Sequence, residues 1–269
     1  MRYPAGGGNE TTAFSKLAEE YWERGFVTVS GQFGADDVQD WKDECERLWG
    51  RKGLVDPLNL RVEVRDHLEK GCVLDRLDPV LDLSAKLEAL ARHPRILSLL
   101  EELLGEEVSL LRCKLIRKIP GTLGYGLHQD YPYWQWLDIP PNDLVTVAIA
   151  IDSADEQSGS IELFPGLHHA KLPAPDDEPR DVSEAAVDLS TGCRSCLSAG
   201  DLLVFHSLTP HRSAPNHASR SRTVLLPTYL VKRHGCLYDR YYDWFLRQKS
   251  LAPAQIAAAF LDRKPSAGQ

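Results

Sequence analysis

A change of texture near residue 106 limits the folding choices of this chain more than any other feature. Beyond it the sequence runs in short β-branched or apolar stretches: "EVSLLRCKLIRKIPG", "LVTVAIAIDSA", "SGSIELFPGLHH", "GDLLVFHSL" and "RTVLLPTYLV". Gly, Pro, Asn and Asp punctuate these stretches, so each reads as a strand closed off by a turn. Before residue 106 the spacing is mainly helical. Thr12 to Arg24 places Phe14, Leu17, Ala18 and Tyr21 on one face, and "ADDVQDWKDECERLWG" is a second helix stopped at Gly50. Between them "GFVTVSG" is a short strand framed by glycines. Leu83 to Leu104 is a strong amphipathic pattern interrupted by Pro94 and ended by Gly105. Helices first and strands afterwards predict one antiparallel β barrel or sandwich carrying a helical N-terminal layer.

The rest of the chain is placed around that core. Residues 1–11 are expected to be disordered, because three glycines and small polar side chains have nothing to bury. A single domain is expected over residues 12–262. It divides into a helical layer at about 12–105, a β core at about 106–232 and C-terminal helices at about 236–262, with a flexible tail at 263–269. Residues 54–82 show no clear pattern. Residues 173–190 are polar, acidic and Pro-rich, as in a long exposed loop or lid.

Composition narrows the functional classes. With 269 residues, 43% of them apolar, the chain can bury a sizeable core. No apolar run approaches the roughly 20 residues of a membrane span, and "MRYPAGGGNETT" lacks the apolar centre of a secretory signal. The expected location is the cytoplasm, with no membrane partner and a monomer or homodimer as the working form. A net charge of −8 without a basic cluster argues against nucleic acid. Six scattered cysteines are expected to be reduced, and Cys193-Arg194-Ser195-Cys196 lacks the companion ligands of a structural zinc site.

The chemistry is carried by "GLHQDYPYWQ". If His128 and Asp130 lie on a strand, residues i and i+2 share a face and can occupy adjacent corners of a coordination shell. A non-haem Fe(II) site asks for one more imidazole, and "GDLLVFHSLTPHRSAPN" offers His206 and His211. His67, His93 and His234 sit in helical or polar contexts, and His168 and His169 follow a Phe-Pro-Gly turn, so they are weaker candidates. Tyr131, Tyr133 and Trp134 directly after the acid are candidates for a substrate pocket. Strict alternation would put Trp134 and Trp136 on the ligand face, but Pro132 breaks a strand register there. Arg76, Arg117 and Lys118 have the sign to meet an anionic substrate, with nothing in the sequence to separate them from solvated charges.

Four stretches in this order resemble the phytanoyl-CoA dioxygenase family of Fe(II)/2-oxoglutarate oxygenases: "LHQDYPYW", "SGSIELFPGLHH", "GDLLVFHSLTPHRSAPN" and "SRSRTVLLPTYL". The opening "GFVTVSGQFGADDVQDWK" is similar as well, while Leu167 stands where the family's turn usually has Ser. The resemblance implies a mostly β fold with flanking helices, built on a double-stranded β-helix, or jelly roll. In the family the distal His is followed two residues later by Ser and eleven later by Arg. His211, Ser213 and Arg222 fit that spacing, whereas from His206 the same offsets reach Leu208 and His217.

The implied Fe(II) ligands are therefore His128, Asp130 and His211. Arg222, Ser213 and Lys114 are the implied contacts of the 2-oxoglutarate co-substrate, with O2 as the second co-substrate. The implied reaction couples decarboxylation of 2-oxoglutarate to succinate and CO2 with oxidation of an unactivated C–H, most simply its hydroxylation. Related halogenases lack the carboxylate, so Asp130 implies oxygen insertion, desaturation or ring formation. The acidic balance favours a small polar molecule or a natural product of secondary metabolism over an acyl-CoA. Two alternatives are a cupin-type metal site working without 2-oxoglutarate and a non-catalytic small-molecule-binding relative.

Overall fold

The structure, a computed structural model, describes residues 10–56, 59–176 and 180–251. α1 (Glu10–Arg24) leads through Gly25 into β1 (Phe26–Val29), and α2 (Ala35–Trp49) follows. Residues 1–9 of the segment expected to be disordered lie outside the described residues. Glu10 and Thr11 instead open α1.

The patternless stretch 54–82 contains a hairpin, β2 (Val62–His67) and β3 (Gly71–Leu77). Its alternation is blurred because most of its side chains are half-buried on both faces. The amphipathic pattern 83–104 is two helices, α3 (Ala85–Ala91) and α4 (Pro94–Leu104), because proline cannot continue a helix but fits its first position. Ser84 caps α3 by accepting from the Leu87 amide, and His93 caps α4 by accepting from Arg95. Gly105 ends α4 at φ 73°, a left-handed conformation that glycine adopts without strain.

The strands then come in sequence: β4 (Val108–Lys118), β5 (Tyr125–His128), β6 (Leu144–Ala150), β7 (Ile161–Leu163), β8 (Cys193–Arg194), β9 (Leu202–His206), β10 (His211–Ser213) and β11 (Arg222–Val231). α5 (Tyr238–Leu251) is the last described element. Residues 252–269, which hold the remainder of the expected C-terminal helices and the tail, lie outside the described residues.

The strands form two antiparallel sheets, the mostly β jelly roll that was expected. One has the order β1-β9-β6-β11-β4-β3-β2 and the other β5-β10-β7-β8. The boundary drawn at residue 106 does not divide helices from strands, since β1, β2 and β3 from the N-terminal part extend the larger sheet on both sides. Alternation along β11 separates the two layers. Leu225 and Tyr229 pack outward with Val27, Trp41 and Leu100 under the helices, while Val224 and Leu226 pack inward with Phe205 and Leu163 between the sheets. A bulge between Thr228 and Tyr229 shifts the pairing with β4. Among the described residues no helix is long and apolar enough to cross a membrane.

α4 buries Ile96, Leu99, Leu100 and Leu103, one stripe at the i, i+3, i+4, i+7 spacing. Leu100 is fully buried in the outer core, so Leu100→Ala is expected to cost about 2–5 kcal/mol. Urea unfolding should show it as a lower midpoint at unchanged slope.

Candidate metal centre

β5 and β10 run antiparallel with His128 directly opposite His211. Side chains opposite one another in a ladder share a face, and the two ring centroids lie 4.2 Å apart. The strands approach closely at Gly124, where an added Cβ would stand 1.8 Å from the Ser213 carbonyl oxygen. Only glycine allows that approach. Asp130 completes the group: one ligand atom from each of the three residues lies within 4.8 Å of the others.

Asp130 arrives by a different route from the one alternation predicts. β5 ends at His128, and Asp130 has helical dihedrals (φ −72°, ψ −34°) at the start of a 3-10 turn, Tyr131–Tyr133. The buried side chain of Gln129 pins this bend by donating to the carbonyls of Leu208 (2.6 Å) and Ala170 (3.0 Å) and accepting from the Leu172 amide (2.9 Å). The curl, not strand pleating, brings the carboxylate beside the imidazole, with His128 Nε2 3.9 Å from Asp130 Oδ1.

Hydrogen bonds orient each candidate ligand. His128 Nδ1 is 2.8 Å from the Gly126 carbonyl and His211 Nδ1 is 2.9 Å from the Thr209 carbonyl. A carbonyl only accepts, so both Nδ1 atoms carry the proton and both Nε2 lone pairs are free for a cation. The Thr146 hydroxyl donates to Asp130 Oδ2 (3.1 Å) and lies 3.2 Å from the Thr228 hydroxyl, leaving Oδ1 toward the histidines. Burial, reinforced by His211, pushes His128 down to about 3, and burial lowers His211 too. Burial opposes the Asp130 charge, but His211 and Lys114 outweigh it and hold the carboxyl below its usual range. Two neutral imidazoles and a carboxylate are the donor set for a divalent first-row metal with open positions.

Two cavities meet at His128 and Lys114. The narrower runs past His211 to Ser213 and Arg222 between the sheets. The Arg222 guanidinium is buried, its Nε has no hydrogen-bond partner among the described residues, and burial lowers its pKa with Asp75 as the main opposing influence. No ion pair joins Arg222 among the described residues. An unanswered buried cation is costly, which fits a site built for an anion that enters from outside. Beside it, Lys118 Nζ donates to Ser213 Oγ (2.8 Å) and the Ala214 carbonyl (2.7 Å).

The wider cavity, about 350 Å3, opens on the other side of His128 and Asp130. Of the three aromatic residues named as pocket candidates, Tyr133 lines it, and Tyr131 and Trp134 do not. Residues 131–137 form two 3-10 turns instead of a strand. These turn Trp134 and Tyr131 into an aromatic cluster with Tyr241 and Tyr242 of α5, where the Tyr131 hydroxyl donates to the Ile139 carbonyl (3.0 Å). Lys114, the expected co-substrate contact, lies between the two cavities and lines both.

The loop expected over 173–190 supplies Arg180 and Asp181 to the cavity wall, with Asp181 bridged to His128 through the backbone. His206 is a packing residue, its Nε2 3.1 Å from Asn142 Oδ1 and its Nδ1 accepting from the Leu208 amide. All six cysteines are free thiols.

The sequence reading missed Thr146 and Thr228, and it left Arg76 and Lys118 among solvated charges. Both cations are in the interior, whereas Arg117 points outward to Glu46 at 3.0 Å. A signal was present: Arg112, Lys114, Ile116 and Lys118 recur at period two along β4, which places three cations on one strand face.

The sequence profile of the phytanoyl-CoA dioxygenase family (PhyH) matches residues 21–224. The chain is 29% identical over 167 residues to the methylphosphonate hydroxylase of Gimesia maris, a match that spans 62% of either chain. It is 25% identical over 248 residues to a 2-aminoethylphosphonate dioxygenase of an uncultured bacterium, with 90% of both chains covered. Among solved structures it is similar to the epimerase SnoN in complex with Fe3+, alpha ketoglutarate and nogalamycin RO. The TM-score is 0.68 at 22% identity, over 96% of this chain and 93% of the other, and the likeness is one of fold.

Proposed function

The chain belongs to the phytanoyl-CoA dioxygenase family of iron- and 2-oxoglutarate-dependent dioxygenases, and from that premise we propose that His128, Asp130 and His211 hold its ferrous ion while Arg222 and Ser213, with Lys118 beside them and Lys114 lining the same cavity, receive 2-oxoglutarate. The reaction is oxidation of an unactivated C–H of a small polar molecule, most simply its hydroxylation, coupled to conversion of 2-oxoglutarate and O2 to succinate and CO2. The supporting observation is the buried Arg222, without an ion pair among the described residues, in the same narrow cavity as His128 and His211. A cupin-type centre or a bare binding domain would leave that guanidinium unanswered. When bound, the iron supplies the activation of oxygen and the oxidising power.

The chain's own side chains bind, orient and shield. The carbonyls of Gly126 and Thr209 fix the imidazole tautomers, and Thr146 fixes the carboxylate. The Arg222 fork matches a carboxylate in two directions. Apolar Ile116, Ile161, Val224 and Leu226 exclude water from the stretch between. The 350 Å3 cavity beside His128 takes the substrate, and its size suits relatives named for methylphosphonate and 2-aminoethylphosphonate better than an acyl-CoA. Free thiols throughout fit a reducing cytoplasm. The direct test is anaerobic spectroscopy: Fe(II) with 2-oxoglutarate should give a weak visible charge-transfer band, and a protein that shows none with both present does not have this function.

Lys118 adds a pH signature. Burial, with Arg222 next, pushes it down to about 6 in the empty protein, so it is largely neutral at pH 7.5. A carboxylate arriving beside it favours the ammonium form and raises its pKa, so binding takes up a proton between the two values. Affinity for 2-oxoglutarate therefore weakens as pH rises above about 6. Calorimetry at pH 7.5 in buffers of unlike ionisation enthalpy should show uptake of up to about one proton, absent in Lys118→Met.

A further inference from the structure

We infer that the wide cavity selects a compact organic dianion, one whose headgroup is a phosphonate, a phosphate monoester or a geminal dicarboxylate; this rests on the iron and 2-oxoglutarate reading only for which C–H is oxidised. The argument is one of unbalanced charge in a confined space. Arg76 and Arg112 reach the cavity from β3 and β4, and Lys114 lies one inward step along β4. Two buried or half-buried acids answer them. Asp78 accepts from Arg112 Nε at 3.1 Å and from the Tyr242 hydroxyl at 2.8 Å. Glu63 lies 3.1 Å from Arg76, but it is shared with Lys249 at 2.6 Å.

Among the described residues Arg76 Nε is left with no hydrogen-bond partner, 3.9 Å from Asp78. Lys114 has no ion pair among the described residues. Counting the charged groups of the wall and their ion-pair partners among the described residues, Arg65, Arg76, Arg112, Lys114, Arg180 and Lys249 stand against Glu63, Asp75, Asp78 and Asp181, a surplus of two positive charges. The neighbouring site does not absorb that surplus, because Asp130 and Arg222 cancel there without any ligand, and a ferrous ion with a dicarboxylate co-substrate would add no negative charge. Buried cations in surplus are unfavourable unless a ligand answers them.

Size and lining define the remainder of the molecule. At a water's share of roughly 30 Å3 per non-hydrogen atom, the cavity holds about a dozen such atoms. Tyr241, Trp244 and Phe245 of α5 form an aromatic wall for a short carbon chain, and Tyr133 stands between that wall and His128. Arg112 is itself held over the rings of Phe245 and Tyr241, 5.3 and 5.6 Å from their centroids. The anionic end therefore sits against Arg76 and Lys114, and the carbon next to it lies on the His128 side.

The test is calorimetry on the full chain with ethylphosphonate, ethyl phosphate, methylmalonate, propionate and propan-1-ol, at fixed ionic strength, with and without anaerobic Fe(II) and 2-oxoglutarate. At least one dianion should bind ten-fold or more tighter than propionate, with no measurable binding of the alcohol. Arg76→Met should weaken that dianion about 10–100-fold, the loss expected for hydrogen bonds to charge. Arg76→Lys, which keeps Glu63 paired, should lose less and guards against a folding defect, checked by melting temperature. Dianions that bind no better than the alcohol, or that bind Arg76→Met as well as the wild type, overturn the proposal. A missing charge-transfer band with dianion binding intact would overturn the iron reading and leave this site standing; a normal band with no dianion binding would do the reverse.

Discussion

Asp130→Ala is expected to abolish the Fe(II)-2-oxoglutarate charge-transfer band and substrate-dependent succinate formation while leaving a folded protein. Asp130 supplies the one anionic donor of the group, and removing it leaves two neutral imidazoles that hold a divalent ion far more weakly. The fold should tolerate the change, because the Thr146 hydroxyl keeps its contact with Thr228 and a buried carboxylate is no longer desolvated. Thr146→Val provides the graded comparison. It removes the hydroxyl that orients Asp130 without touching a ligand, and losses of that kind cost about 10–100-fold in metal affinity or activity. Iron titration of both variants by the band intensity would check the order. An Asp130→Ala protein that binds Fe(II) like the wild type would remove Asp130 from the metal site.

Arg222→Met is the second variant with a large expected effect, and its two consequences point in opposite directions. Two charge-assisted hydrogen bonds to a carboxylate are lost, each worth about 1.5–3 kcal/mol, so affinity for 2-oxoglutarate should fall by a factor on the order of 10² to 10⁴. The empty protein should be at least as stable as the wild type. Arg222 carries a buried charge without an ion-pair partner, and replacing such a group with an apolar side chain of similar reach removes a desolvation cost. Arg222→Lys is not a mild change here, since an ammonium cannot match both carboxylate oxygens. Thermal melts with and without 2-oxoglutarate read both effects. A structural role for Arg222 predicts a lower melting temperature without ligand, the outcome that would discard the co-substrate assignment.

The cation row of β4 shows where sequence reading stops. Lys114 and Lys118 are both written into an apolar strand, yet only Lys114 was put near the co-substrate and Lys118 was left with the solvated charges. The period-two pattern puts both on one face, but it does not say whether that face meets solvent or the opposite sheet. Lys118 is fully buried because its partner across the ladder is Arg222 and the smaller sheet closes over both. The same ambiguity hid the hairpin at 62–77, whose side chains are half-buried on both faces and so carry no alternation to read. Tyr131 and Trp134 departed from expectation for another reason: a 3-10 turn begins at Tyr131, with Pro132 as its second residue, and the strand does not continue.

The amino-acid order by itself determined the strand-rich second half, the breaks at Pro94 and Gly105, and the spacing from His211 to Ser213 and Arg222. Each of these depends on neighbours within about a dozen residues, where backbone preference and side-chain periodicity act directly. Only the tertiary structure decided that Asp130 reaches His128 by a bend pinned through Gln129, that Thr146 aims the carboxylate, and that Arg76, Arg112 and Lys114 surround one cavity. Those relations depend on strand register, on the bulge beside Thr228 and on which sheet covers which face. Such long-range choices are made by the packing of the whole core, and no local stretch of the chain encodes them.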